Sequence, residues 1–185
     1  MILLIGATPA LSTTMAGVRI RKAVKQGSKL MLIGPNQTWF DDFAQWHFQT
    51  DETAFLTAML EALQNPEATG EAAQAAAIYR GAKKAMIVYH DAQVSRQAAV
   101  LAASLAKESG HIGHARDGLI ALKPGANSQG LSLLGVKPAS QIDWTKIKAV
   151  ISFGEMLPEA CTQNSEFLAV QDVYLTDTAG RADVV

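Results

Sequence analysis

The chain opens on an apolar run, Met1-Ile-Leu-Leu-Ile5, that stops on Gly6 and turns through Ala7-Thr-Pro9. Continuous rather than alternating apolarity predicts a strand buried on both faces, the pattern of a parallel sheet covered by helices. The same pattern recurs in Leu30-Met-Leu-Ile-Gly-Pro-Asn36, Met86-Ile-Val-Tyr-His-Asp91, Val150-Ile-Ser-Phe-Gly-Glu155 and Phe167-Leu-Ala-Val-Gln-Asp172. Each runs from apolar residues into a glycine or polar stop, with helical patterns between. These five units predict the α/β class: one parallel sheet with helices on both faces. Ligands of open sheets sit just past the carboxyl ends of the strands, so the stops are where function is to be sought.

Between the strands, residues 13–26 predict a helix capped by Ser12 or Thr13, with Met15, Val18, Ile20, Ala23 and Val24 toward the sheet and Gly27 ending it. A short strand is expected near Trp46 to Gln49. A helix over 52–63, capped by Thr50 or Asp51, turns Phe55, Leu56, Met59 and Leu63 to the core and stops at Asn65-Pro66. Further helices are expected over 70–80, closed by Gly81, and over 93–107. The pattern lapses between Ser109 and Gln129, which predicts a surface loop or lobe boundary. A short helix near Leu131 to Leu134, a capped turn at Asp143 and a last helical turn over 176–182 complete the pattern. The lobes are expected over 1–126 and 127–185, packed separately or as one body.

Composition narrows the function. With 49% hydrophobic and 18% charged residues among 185, the chain can build a core. A formal net charge of −1 leaves no electrostatic footprint for nucleic acid. No apolar run is long enough to insert directly into a membrane. The single cysteine, Cys161, excludes an internal disulfide or a cysteine-only cluster within the chain, and fits a reducing, cytoplasmic setting. Apolar runs at both ends lead us to expect a piece of a longer protein.

The candidate sites follow the stops. Gly6-Ala-Thr-Pro9 could cradle an anion with backbone N–H groups, or simply be a tight turn. It is neither a Gly-x-Gly-x-x-Gly fingerprint nor a phosphate loop. His111 and His114 read as exposed loop residues rather than metal ligands, and no metal site is expected. His47 reads as a packed strand residue. His90 and Asp91, adjacent on an extended segment, point opposite ways and do not form a dyad. Cys161 reads as a structural thiol, so no catalytic residue is assigned. Gly154-Glu155 and Gln171-Asp172 end two successive strands, where their polar groups could meet at one crevice.

Several segments resemble the large subunit of molybdopterin-type oxidoreductases. Leu168-Ala-Val-Gln-Asp-Val-Tyr-Leu-Thr-Asp-Thr-Ala-Gly-Arg-Ala-Asp-Val-Val185 is similar to that family's Val-Val-Gln-Asp-(apolar)₃-Thr-x-Thr-Ala-x-x-Ala-Asp-Val. Ile5-Gly-Ala-Thr-Pro-Ala10 resembles its Gly-x-Asn-Pro-Ala. Arg19-Ile-Arg-Lys-Ala-Val-Lys-Gln-Gly-Ser-Lys29 resembles its Arg-(Ile/Leu)-Arg-Lys-Ala-x-x-x-Gly-Ala-Lys, and Ser109-Gly-His-Ile-Gly113 its Thr-Gly-Asn-(Ile/Leu)-Gly. The resemblance runs in order along the whole chain.

It implies Rossmann-like lobes of the formate dehydrogenase/DMSO reductase domain 1–3 type, which together bind molybdopterin guanine dinucleotide. By position, Gly6, Thr8, Pro9, Gly34, Asn36, Thr50 and Asp51 would contact one nucleotide. Gly154, Glu155, Gln171, Asp172 and Thr176 would contact the other. This chain has Thr8 where the family has Asn, and Gly34-Pro-Asn36 where it has Asp-Pro-Arg. A glycine-rich turn of the family is replaced by Tyr89-His-Asp91. The lost Asp would be a ribose acceptor and the lost Arg a planar donor fork.

Such departures resemble the large subunit of NADH–quinone oxidoreductase (respiratory complex I), where the fold persists as a scaffold without molybdenum. Iron–sulfur clusters would then lie outside this chain, which is catalytically incomplete alone. Its partners would be the remainder of the parent subunit and other redox subunits, cytoplasmic or peripheral to the inner membrane through a complex. A formate dehydrogenase alpha-subunit domain that keeps the cofactor is the second reading. A non-redox small-molecule binding module is the third.

Overall fold

Successive residues of a strand face opposite ways, and Leu3, Leu4 and Ile5 are all buried, so β1 (Ile2–Ile5) has a layer on each side. The computed structural model describes residues 1–65 and 67–185 and divides into units Met1–Gln129 and Gly130–Val185. In the first unit β1 pairs in parallel with β2 (Leu30–Ile33) and with β4 (Met86–His90). Outside them lie β3 (Trp46–Phe48) and β5 (Gly118–Leu122). The result is a five-stranded parallel sheet in the order β3-β2-β1-β4-β5. The chain grows outward from β1 to β3, then returns to start β4 on the other side of β1. The strand order therefore reverses between β1 and β4.

Two cores follow from the alternation. Leu3, Ile5, Met31, Ile33 and Ile87 pack against α3 (Glu52–Gln64), α4 (Glu71–Arg80) and α5 (Arg96–Glu108). Leu4, Leu30, Leu32 and Val88 pack on the opposite face against Phe40 and against Ile20 of α2 (Thr14–Lys25). Helix α3 starts where expected: Asp51 Oδ1 accepts the Ala54 N–H at 2.8 Å, and Phe55, Leu56, Met59 and Leu63 are its buried face. Asn65 is its C-cap, while Pro66, the other half of the expected stop, lies outside the described residues. Ser95 caps α5, whose Ala98, Ala102 and Ala106 are small enough to bring the helix close to the sheet. A single turn, α1 (Pro9–Ser12), precedes α2. Helix α2 ends in a Schellman motif, with Ser28 N–H to Ala23 O at 3.0 Å and Gly27 at φ +95°.

The second unit holds most of α6 (Ser128–Leu133) and a parallel pair, β6 (Ala149–Phe153) and β7 (Phe167–Gln171). Val150, Leu168, Val170 and Ala179 form its core. Ile151 and Phe153, on the other face of β6, are exposed. The five strands expected in one sheet thus fall in two sheets. The reason is that β6 and β7 bury alternate residues, whereas β2 buries all four, and an apolar run looks alike in both cases.

The segment expected to be a loop between Ser109 and Gln129 contains β5. This edge strand has one neighbour, and its run Gly118-Leu-Ile-Ala-Leu122 is only partly buried. In α2 the expected face is also corrected. Met15 and Val18 are 68% and 52% exposed and Gly17 is buried in their place, while Ile20 is buried as expected. Thr13 is the N-cap residue of α2, without a side-chain hydrogen bond.

His111, expected in an exposed loop, is buried beside α4. Its Nε2 donates to the Tyr79 carbonyl at 2.9 Å, and Nδ1 lies 3.7 Å from Asp117 Oδ1. His111 N–H also closes the end of α5 on Ala106 O at 2.9 Å, so the turn that ends the helix folds the ring inward. The ring meets Tyr79 edge-on, at 5.0 Å between centroids.

Tyr79 is fully buried and its hydroxyl lacks a partner, while Ser109 Oγ donates to Leu105 O at 2.7 Å. Burial pushes the phenol from 10.0 up to about 12. A raised folded-state pKa gives stability that is fully present below pH 10 and is lost as pH rises toward about 12. Tyr79→Phe is therefore expected to abolish that alkaline loss and to raise stability at pH 7 by about 1 kcal/mol. Denaturant unfolding from pH 7 to pH 12 measures both effects.

Candidate functional site

At the carboxyl edge of the five-stranded sheet, the β1 and β2 turns nearly touch. Gly6 ends β1 with φ +50°, and its N–H donates to Ile33 O at 2.8 Å. Gly34 ends β2, and its N–H donates to Phe48 O at 3.2 Å. A Cβ added to Gly34 would lie 3.3 Å from Gly6 Cα, so both turns need glycine to approach this closely. Over them opens a crevice of about 250 Å³, reached by Gly6, Thr8, Gly34, Asn36, His47, Glu52 and Gln93.

Of the residues assigned to the first nucleotide, Gly6, Thr8, Gly34 and Asn36 meet in this crevice. Pro9 stands instead at the start of α1. Thr50 and Asp51 do not line the crevice, and the Asp51 carboxylate is committed to capping α3. Two of the three backbone donors of the Gly6-Ala-Thr-Pro9 turn are also committed. Gly6 N–H belongs to the sheet, and Thr8 N–H donates to Gln93 Oε1 at 3.0 Å. Gln93 Nε2 returns a bond to Thr8 Oγ1, also 3.0 Å, so one amide clasps the turn across the reversal between β1 and β4.

Glu52 and Gln93 escaped the sequence reading. Glu52 is the first residue of α3, where an acid is common for helical reasons alone. Its Oε1 stands at the glycine turns, 2.6 Å from where a Cβ on Gly6 would be and 3.4 Å from one on Gly34. Gln93 lies three residues past the β4 tip. That position was a usable signal, since β4 adjoins β1 in register. His47 also lines the crevice, paired through Nδ1 with Asp41. His90 and Asp91 do have separate partners: His90 Nδ1 accepts from Ala92 N–H at 3.2 Å, and Asp91 pairs with Lys123.

In the second unit, Gly154, Gln171, Asp172 and Thr176 line one shallow depression with Phe153 and Tyr174. Glu155 is not part of it, and its carbonyl accepts from Ser152 Oγ at 2.8 Å. Asp172 Oδ1 accepts from Val173 and Tyr174 N–H at 2.7 and 3.1 Å, and Thr176 Oγ1 accepts from Ala179 N–H at 3.2 Å. These polar groups hold their own turns. Cys161 lies half-buried at the end of a 3₁₀ turn. Among the described residues there is no cluster of three metal-binding side chains, and no helix is long and apolar enough to cross a membrane.

Gly6→Ala tests the close approach of the turns. The new Cβ would meet Glu52 Oε1 at 2.6 Å and Val94 Cγ1 at 2.9 Å, at a positive φ. A loss of about 1–3 kcal/mol is expected, with part of it restored when Glu52→Ala removes one of the two clashes. Unfolding of the single and double variants measures the coupling.

No curated protein matches the chain. The family model described as molybdopterin oxidoreductase matches residues 1–185, the entire length over which the sheet, its turns and the second unit are built. On that match, this chain belongs to the molybdopterin oxidoreductase family.

Proposed function

We propose that this chain is a scaffold portion of a large subunit of the NADH–quinone oxidoreductase (complex I) kind. In that role its α/β body packs against the cluster-carrying part of the parent and against other redox subunits. The family implies a molybdopterin cofactor. One observation carries the scaffold reading: the crevice where the nucleotide of such a cofactor would be held offers no cation, and groups of this chain occupy two of its turn N–H donors. Phosphates are bound by cationic side chains or by unpaired backbone N–H groups. No Lys or Arg lines the crevice, the N–H groups of Gly6 and Thr8 are taken, and the Glu52 carboxylate stands beside both glycines. A volume of about 250 Å³ is also below the roughly 300–1,000 Å³ of most small-molecule pockets. The residues present do not fit a bound diphosphate.

The formate dehydrogenase reading has one observation in its favour, the meeting of Gly6, Thr8, Gly34 and Asn36 in a single crevice. Membership of an oxidoreductase family favours both redox readings over a non-redox module. Metal analysis and pterin fluorescence on the purified full-length protein separate the two. The scaffold reading predicts molybdenum and pterin far below one equivalent. Near-stoichiometric amounts of both would overturn it in favour of the formate dehydrogenase kind.

A further inference from the structure

We propose that Glu52 decides what the strand-tip crevice admits: its carboxylate excludes a nucleoside diphosphate, and removing its charge reopens the site. The side chain starts from the first position of α3, where the positive end of the helix favours an anion. From there it reaches the two glycine turns, where the backbone carries no side chain to fill the space. Among the described residues Glu52 makes no ion pair, and no Lys or Arg is among the groups lining the crevice. No Lys or Arg among these groups therefore offsets the carboxylate where a phosphate would have to lie. Two or three phosphate charges a few ångströms away would each be repelled by it, in a partly desolvated cleft where screening is weaker than in bulk water. Of the remaining lining groups, Asn36, Thr38 and Gln93 are neutral hydrogen-bonding side chains that suit a sugar or base, and His47 is held by Asp41. The obstacles to a nucleotide are thus one charge and one clasp, set in a narrow crevice.

This inference rests on the scaffold reading of the crevice, and its test is separate from metal and pterin content. Guanosine diphosphate and guanosine are titrated calorimetrically into the full-length protein, wild type, Glu52→Gln, Glu52→Ala and Glu52→Gln/Gln93→Ala. Amide NMR spectra confirm that each variant is folded. Glu52→Gln is expected to tighten guanosine diphosphate at least about tenfold over wild type, while guanosine changes less than about twofold. The double variant, which frees Thr8 N–H, is expected to bind the diphosphate tighter still. Equal or tighter diphosphate binding by wild type would overturn the inference and make Glu52 a ribose acceptor. A failure of all three variants to gain affinity would overturn it as well. Molybdenum and pterin in the purified protein would sink the scaffold reading. A cofactor-free protein whose variants gain nothing would sink this inference alone.

Discussion

A strand without a polar face cannot exist at a surface, and β1 is such a strand. Leu3, Leu4 and Ile5 demand cover above and below, and parallel neighbours on both edges satisfy their backbone groups. From that demand follow the helices on both faces and the return of the chain across β1 after β3. The same demand sets the common direction of the strand tips. Gly6, Gly34 and Gln93 come to one crevice because β1, β2 and β4 are in register and end together. No loop has to reach for the site.

Close packing of the tips also explains how the site is filled. Two glycine turns in near contact leave a hollow that the next helix overlooks, and α3 begins with a glutamate. A carboxylate at that position stabilises the helix whatever lies in front of it. The opposing amide of Gln93 then holds the β1 turn by satisfying its N–H and its hydroxyl at once. The crevice is built from interactions that stabilise the fold, and each of them removes a group that a phosphate would need.

Much of this was legible in the residues themselves. The α3 face of Phe55, Leu56, Met59 and Leu63 follows from a 3.6-residue period, and Asp51 as its cap from a carboxylate before an apolar helix. Gly27 at the end of α2 is legible because few other residues adopt φ +95°. What was not legible depended on partners distant in sequence. Whether β6 joins β1 or pairs only with β7 is decided by which faces find cover. The partial departure in the face of α2, with Gly17 inward and Met15 outward while Ile20 is buried as expected, reflects the close approach of a helix to a sheet, which favours the smaller residue. Glu52 gave no local signal, and the place of Gln93 past the β4 tip becomes one only once β4 is set beside β1.

The central claim, that the chain's own side chains fill the crevice at the strand tips, is most directly tested by nuclear Overhauser spectra of the isotopically labelled full-length protein in solution. The account predicts cross-peaks from Glu52 Hγ to Gly6 Hα and from the Gln93 side-chain amide to Thr8, with the Thr8 backbone amide protected from exchange. Absence of those cross-peaks, with Thr8 exchanging as fast as an unstructured peptide, would contradict it.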